Sequence, residues 1–162
     1  MIIREAVIAD LEAITDIYNW AVENTTATFD ITRQSLVERR KWFDAHKGVY
    51  PLTVAEYEGK VVAYCSLSRF REKEAYAKSV EISVYVGPVF HGKGIGTALL
   101  EDIVKRGRTL GHHVIIAGIT AGNDISIKMH EKAGFKLCGC FNQVGYKFNE
   151  WQDCLFYELL LD

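Results

Sequence analysis

The stretch Gly92-Lys93-Gly94-Ile95-Gly96, read with its flanks, limits this chain more than any other feature. Ahead of it, Val80 to Val86 alternates and is rich in β-branched residues, which predicts a strand. Behind it, Thr97 to Val104 carries apolar residues at helical spacing. A glycine-rich turn therefore joins a strand to a helix. The start of a helix presents unpaired backbone N–H groups and the positive end of the macrodipole. Glycines let an anion approach that backbone closely. The pattern predicts a mixed α and β fold that binds a phosphate or diphosphate.

Three kinds of anion loop compete for this segment. Gly87 to Gly92 has the spacing of a Walker loop and Lys93 follows, but Gly94 stands where Ser or Thr must hold magnesium. Gly92 and Gly94 begin a dinucleotide fingerprint, but Thr97 occupies the third glycine position. No acidic residue ends a second strand about 20 residues on, where a ribose would need one. The third pattern is [Q/R]-x-x-G-x-[G/A]. Gly94 and Gly96 match it, and His91 sits at the Gln/Arg position.

With that third loop in place, the chain resembles the GCN5-related N-acetyltransferases. Within them it is similar to the phosphinothricin and methionine sulfoximine/sulfone acetyltransferases. The likeness runs through Ile3-Arg4-Glu5-Ala6, Thr25-Thr26-Ala27-Thr28-Phe29, Tyr50-Pro51-Leu52-Thr53-Val54 and Phe70 to Tyr76. It continues in Val80 to Val86, Asn123 to His130, Gly134-Phe135 and Val144-Gly145-Tyr146-Lys147-Phe148. The resemblance implies acetyl-CoA as co-substrate, a small-molecule amine as acceptor, and a homodimer in which Val144 to Phe148 lies across from the partner's site. It also implies a sheet whose fourth and fifth strands splay apart to admit a pantetheine arm. At His91, Arg or Gln would donate toward the cofactor, whereas neutral His donates only one N–H. A solvated loop residue is the other reading of His91. The backbone amides of Gly92 to Gly96 do not depend on it.

A length of 162 residues suits a single domain spanning 1–162. A formal charge of −2 and the lack of a Lys/Arg run argue against a nucleic-acid partner. No apolar run approaches the ~20 residues of a membrane span, and Met1-Ile2-Ile3-Arg4-Glu5 lacks a signal pattern, so a cytoplasmic protein is expected. Cys65, Cys138, Cys140 and Cys154 have no zinc spacing, and no metal is expected. They read as buried or half-buried thiols.

The periodicities predict strands over Met1–Val7, Leu52–Tyr57, Lys60–Leu67, Val80–Val86, Val114–Thr120, Phe135–Val144 and Cys154–Leu161. Helices are expected over Leu11–Glu23 with Asp10 as cap, and from the capping box at Ser35 and Glu38 to about Ala45. A third runs from the glycine loop to about Leu110, with Gly111 as its stop. A fourth is capped by Asn123 or Asp124 and ends at Gly134. The order βααβββαβαββ gives an α+β class, with a mixed and mostly antiparallel sheet and helices on both faces.

Acetyl transfer to an amine needs a base, stabilisation of the carbonyl oxygen and an outlet for the thiolate. Glu81 is the lone carboxylate in an apolar strand, surroundings that raise a carboxyl pKa and suit a base near neutral pH. It also matches the family's strand glutamate. An outward-facing residue paired with Lys78 or Arg71 is the alternative. Val84, Tyr85 and Val86 resemble the segment whose backbone pairs with pantetheine amides. His91 to Thr97, with Lys93, Gly94, Ile95 and Gly96 among them, is the diphosphate loop. His130 stands near the superfamily's acid position and reads as an acid, a base or a hydrogen-bonded wall residue. Asn123 resembles the residue that holds the pantetheine arm, but it is also a plain N-cap, two tasks that one side chain would hardly do at once. Ser126 and Lys128 are weaker cofactor contacts. For the substrate, Arg71, Lys73 and Tyr76 align with positions that grip carboxylate and phosphinate or sulfone oxygens. Phe29 walls the side-chain pocket or belongs to the core.

Overall fold

The computed structural model describes residues 1–162. Its strands are β1 (Ile2–Glu5), β2 (Leu52–Tyr57), β3 (Lys60–Arg69), β4 (Ser79–Val86), β5 (Val114–Thr120), β6 (Lys136–Lys147) and β7 (Glu150–Leu160). Its α-helices are α1 (Leu11–Asn24), α2 (Leu36–Asp44), α3 (Ile95–Thr109) and α4 (Asp124–Lys132). All strands join one sheet in the order β1-β2-β3-β4-β5-β7-β6. Only β4 and β5 run parallel, as a strand–helix–strand crossover through α3 requires. The mixed, mostly antiparallel α+β architecture is the expected one.

Alternation along the strands divides the core between two faces. On β3, Ala63, Cys65 and Leu67 join Leu99, Leu100 and Ile103 of α3 in the larger cluster. Tyr64 points the other way and packs with Ile14, Tyr18 and Val22 of α1. Helices α3 and α4 therefore cover one face, and α1 with α2 the other. On β4 the same alternation sends Val80 and Ile82 into the α3 face and Tyr85 toward α1. Glu81 and Ser83 share the parity of Tyr85 and so lie on the α1/α2 side.

The feature that shapes the site is a failure of pairing. β4 and β5 are in register only at Ser79/Val114, Val80/Ile115 and Glu81/Ile116. Beyond that point β4 keeps β3 as its partner and β5 keeps β7. The two strands part as expected, and the facing edges are left without a ladder.

Several element ends differ from expectation. Asp10 does not cap α1. Its carboxylate accepts from the Val7 N–H at 2.8 Å and pairs with Arg4 at 2.8 and 3.0 Å, which closes a 3-10 turn over Ile8–Asp10. The first strand consequently stops at Glu5 rather than Val7. The last two strands run past Val144 and begin before Cys154, meeting at a tight turn where Phe148 and Asn149 both have positive φ. No glycine marks that turn, so composition hides it. Ser35 caps α2 as predicted, its Oγ accepting from the Glu38 N–H at 3.1 Å. Gly111 and Gly134 take left-handed φ at the ends of α3 and α4.

Candidate active site

The glycine loop enters α3 with Gly92 at φ +75° and Gly94 at φ +79°, a region that side chains with a Cβ rarely occupy. Gly94 is the residue before the helix and offers no side-chain cap. The first backbone bond of α3 runs from the Ala98 N–H to the Gly94 carbonyl. None of the N–H groups of Gly92, Lys93, Gly94, Ile95, Gly96 and Thr97 finds an acceptor in the chain. Unsatisfied donors on consecutive residues at the positive end of a fifteen-residue helix form an anion cradle. Gly96 is small for a different reason. A Cβ there would meet Met129 Sδ of α4 at 3.1 Å. The His91 ring donates from Nε2 to the Val86 carbonyl at 2.7 Å and stands edge-on to Trp20.

The gap between β4 and β5 opens into a cleft of about 400 Å³. Phe29, Arg71, Glu81, Val84, Tyr85, Asn123, Ser126 and His130 all line it. Glu81 belongs to the last β4–β5 pair, so its carboxyl marks the apex where the strands part. Burial pushes this carboxyl above its ordinary range, and the Arg71 guanidinium pulls part of the way back.

His130 is 4% exposed, and burial holds its imidazole below the usual value. Its Nδ1–H donates to the Ser126 carbonyl at 2.8 Å, so a neutral ring carries its lone pair on Nε2. Asn123 divides its tasks between two atoms. Its Oδ1 accepts from the Ser126 N–H at 3.3 Å and caps α4, while its Nδ2 makes no bond within the chain. Capping and ligand donation are compatible after all.

Lys73 and Tyr76 do not line this cleft. With Phe70, Arg71 and Glu72 they form an adjoining exposed hollow. The Arg71 guanidinium lies 4.6 Å from the Phe70 ring centroid, and Phe70 meets Tyr76 edge to face at 5.7 Å. Arg71 borders both spaces, with cationic and aromatic groups spread from the carboxylate outward to solvent.

This geometry can be set beside known proteins. Residues 14–135 match the acetyltransferase (GNAT) family. The L-methionine sulfoximine/L-methionine sulfone acetyltransferase of Pseudomonas paraeruginosa is 44% identical, covering 99% of this chain and 94% of its own length. The chain belongs to the GNAT acetyltransferase family. A ribosomal-protein-alanine N-acetyltransferase from Brucella melitensis superposes with a TM-score of 0.96 at 44% identity, covering 99% of this chain and all of its own. A phosphinothricin acetyltransferase from Sinorhizobium meliloti, solved with acetyl-CoA, gives a TM-score of 0.96 at 40% identity, covering 99% of this chain and 88% of its own.

Several residues of this acetyltransferase's cleft escaped the sequence reading. Cys154 of β7 lines it, and burial together with the Glu81 charge holds its thiol above the ordinary range. The segment 25–30 is tied down from three elements. Tyr18 shares a hydrogen bond with Thr28 Oγ1 at 2.9 Å, Thr120 Oγ1 donates to the Thr26 carbonyl at 2.6 Å, and Lys147 Nζ donates to the Thr28 carbonyl at 2.8 Å. These long-range ties leave no mark on local periodicity. They place Phe29 against bare backbone at Gly145, where an added Cβ would come within 2.6 Å of the ring. Gly145→Val should therefore displace Phe29 into the cleft. The expected result is a roughly 10-fold rise in KM for the amine with little change for the acyl donor, read by steady-state kinetics.

Proposed function

We propose that this enzyme transfers the acetyl group of acetyl-CoA to the α-amine of a small amino acid whose side chain ends in oxidised sulfur or phosphorus: methionine sulfone, methionine sulfoximine or phosphinothricin. The observation that carries this reading is the half-buried carboxyl of Glu81 at the apex of the split sheet, with Arg71 on the same cleft.

The donor's diphosphate would sit on the amides of Gly92 to Thr97, leaving His91 to hold the Val86 end of the strand. Its pantetheine amides would extend the unpaired edge of β4 at Val84 to Val86 and take a donor from Asn123 Nδ2, with Ser126 beside it. The donor supplies an activated acyl group, and the protein supplies proton management. An ammonium cannot attack, so Glu81 accepts its proton. Burial makes Glu81 a stronger base than a solvated carboxylate. An N–H of β4 stabilises the oxygen on which charge develops. As the C–N bond forms and the C–S bond breaks, the nitrogen sheds its second proton; His130, neutral with its lone pair on Nε2, can accept that proton and pass it to the departing thiolate, so that it acts first as an acceptor rather than as a resting acid. Cys154 is the only thiol lining the cleft, and it is held as a thiol, so direct amine attack is favoured over an acyl-enzyme. Arg71 and Lys73 would take the substrate's carboxylate and side-chain oxygens, with Phe29 and Tyr76 as apolar walls.

A second reading, acetylation of a protein N-terminus, is favoured by the name of the Brucella melitensis protein. A polyamine is disfavoured because Arg71 and Lys73 would repel it. Following thiol release across methionine sulfone, methionine sulfoximine, phosphinothricin, an alanine-led peptide and spermidine separates these. The oxidised amino acids should lead the peptide in kcat/KM by roughly 100-fold or more. A peptide that outruns them would overturn the proposal.

We also propose a homodimer. Leu137, Phe141, Tyr146, Phe148 and Trp151 of the β6–β7 hairpin and its turn are each more than half exposed, an apolar surface suited to a second copy.

A further inference from the structure

The helix α2 packs an unusual face on the sheet. Arg39 and Trp42 of α2, with His46 just past its end, fall at helical spacing on one side. Apolar packing would serve stability better, so a polar contact here calls for a reason. The Arg39 guanidinium lies 3.7 Å from the Trp42 ring centroid and 4.2 Å from that of Tyr18. His46 stacks obliquely on Trp42 at 4.6 Å. Its Nδ1–H donates to the Trp42 carbonyl at 2.7 Å, which fixes the tautomer and leaves Nε2 as an acceptor. Nε2 lies 2.8 Å from Ser68 Oγ. Ser68 in turn is the direct cross-strand partner of Glu81, and directly opposed residues share a face of the sheet.

We infer that His46 is a positioning residue for the base. By accepting the Ser68 hydroxyl proton, it keeps that donor from the Glu81 carboxyl and leaves a serine lone pair on the face that the two paired residues share. This rests on the proposed role of Glu81. The proton taken from the ammonium ends as an O–H on Glu81, and Ser68 Oγ accepts that O–H; no other bond changes. A partner that accepts from the neutral acid favours the protonated form, and one that donates to the carboxylate favours the ionised form. Holding Ser68 as an acceptor therefore strengthens the base. The arrangement needs His46 uncharged, and burial with the nearby Arg39 charge keeps its proton affinity below the ordinary value. The other groups near Glu81 are Arg71, Cys154 of β7 and His130 of α4. On the open side of His46 lie Glu5 of β1, Lys47, and Asp102, Lys105 and Arg106 of α3.

The test is the pH profile of kcat/KM for wild type, His46→Phe, Ser68→Ala and Ser68→Thr, with Glu81→Gln measured alongside. In His46→Phe the freed hydroxyl can donate to the carboxylate. The acid limb should move down by about half a pH unit or more, and kcat should fall roughly 3- to 10-fold. Ser68→Ala loses the acceptor and should move the limb in the same direction. Ser68→Thr keeps a hydroxyl and should restore most of the shift. If His46→Phe does not fold, the contrast between the Ser68 variants decides the matter. A folded Ser68→Ala enzyme with the wild-type acid limb and kcat overturns the inference and leaves Glu81 as base. Wild-type turnover in Glu81→Gln overturns the base and this inference together.

Discussion

Glu81→Gln should lower kcat by roughly 100- to 10,000-fold, the usual range for removing a positioned base. The affinity for acetyl-CoA should be nearly unchanged, because the diphosphate site we propose consists of the backbone amides of Gly92 to Thr97, which lack acceptors in the chain. The same variant should be the more stable protein. Burial raises the Glu81 carboxyl in the folded state. A carboxyl raised on folding contributes stability that is complete at low pH, below its unfolded value. That contribution is lost as pH rises through the folded value. At neutral pH the ionised group is therefore a cost, and an uncharged amide of nearly the same shape removes it. Thermal unfolding at pH 7.5 should show a Tm higher by about 2 °C, and the difference should vanish in acid. Activity and stability moving in opposite directions would mark Glu81 as a group kept for chemistry. An unchanged kcat would remove it from the mechanism. In wild type the acid limb of kcat/KM should lie above the ordinary carboxylate range, and loss of the Arg71 charge should push it higher, because that charge pulls the carboxyl down.

How far the sequence could be read follows from the range of each interaction. Local signals carried well. Ser35 announces α2 because its bond partner, the Glu38 N–H, is three residues away. Gly111 and Gly134 end helices because their own φ angles demand glycine. Glu81 stands out in the sequence as a single charge in a β-branched run, and the structure places it on the cleft at the last β4–β5 pair. Asp10 misled because its carboxylate is claimed by Arg4 from the neighbouring strand, a partner that helix-cap statistics ignore. The Phe148-Asn149 turn was hidden because its residues reach positive φ without glycine. Cys154, Thr120, Lys147 and the His46–Ser68 pair owe their places to strand register and helix packing across large sequence separations. Asn123 was half legible. Its type signalled a cap, and only the geometry showed that the cap uses one atom and leaves the other free.

Gly94→Val should weaken acetyl-CoA binding by roughly 10- to 100-fold, and the defect should be confined to the diphosphate. Gly94 holds φ +79°, and nothing lies within 4 Å of a Cβ built there. Crowding is therefore not the problem. A branched side chain resists the left-handed region by about 1–2 kcal/mol, which the loop can relieve by rotating the peptide planes on either side. Those planes carry N–H groups that have no acceptor in the chain. Rotation misaligns the donors of Gly94 and Ile95 at the mouth of α3, and each tenfold loss of affinity needs only about 1.4 kcal/mol. Acetyl-pantetheine, which lacks the diphosphate, separates this cause from general damage. Wild type should prefer acetyl-CoA strongly over the truncated donor, while Gly94→Val should use the two with much closer kcat/KM values. Equal losses on both donors would point to a collapsed cleft. An undiminished preference for acetyl-CoA would show that the diphosphate rests elsewhere, and the reading of the glycine loop would fall with it.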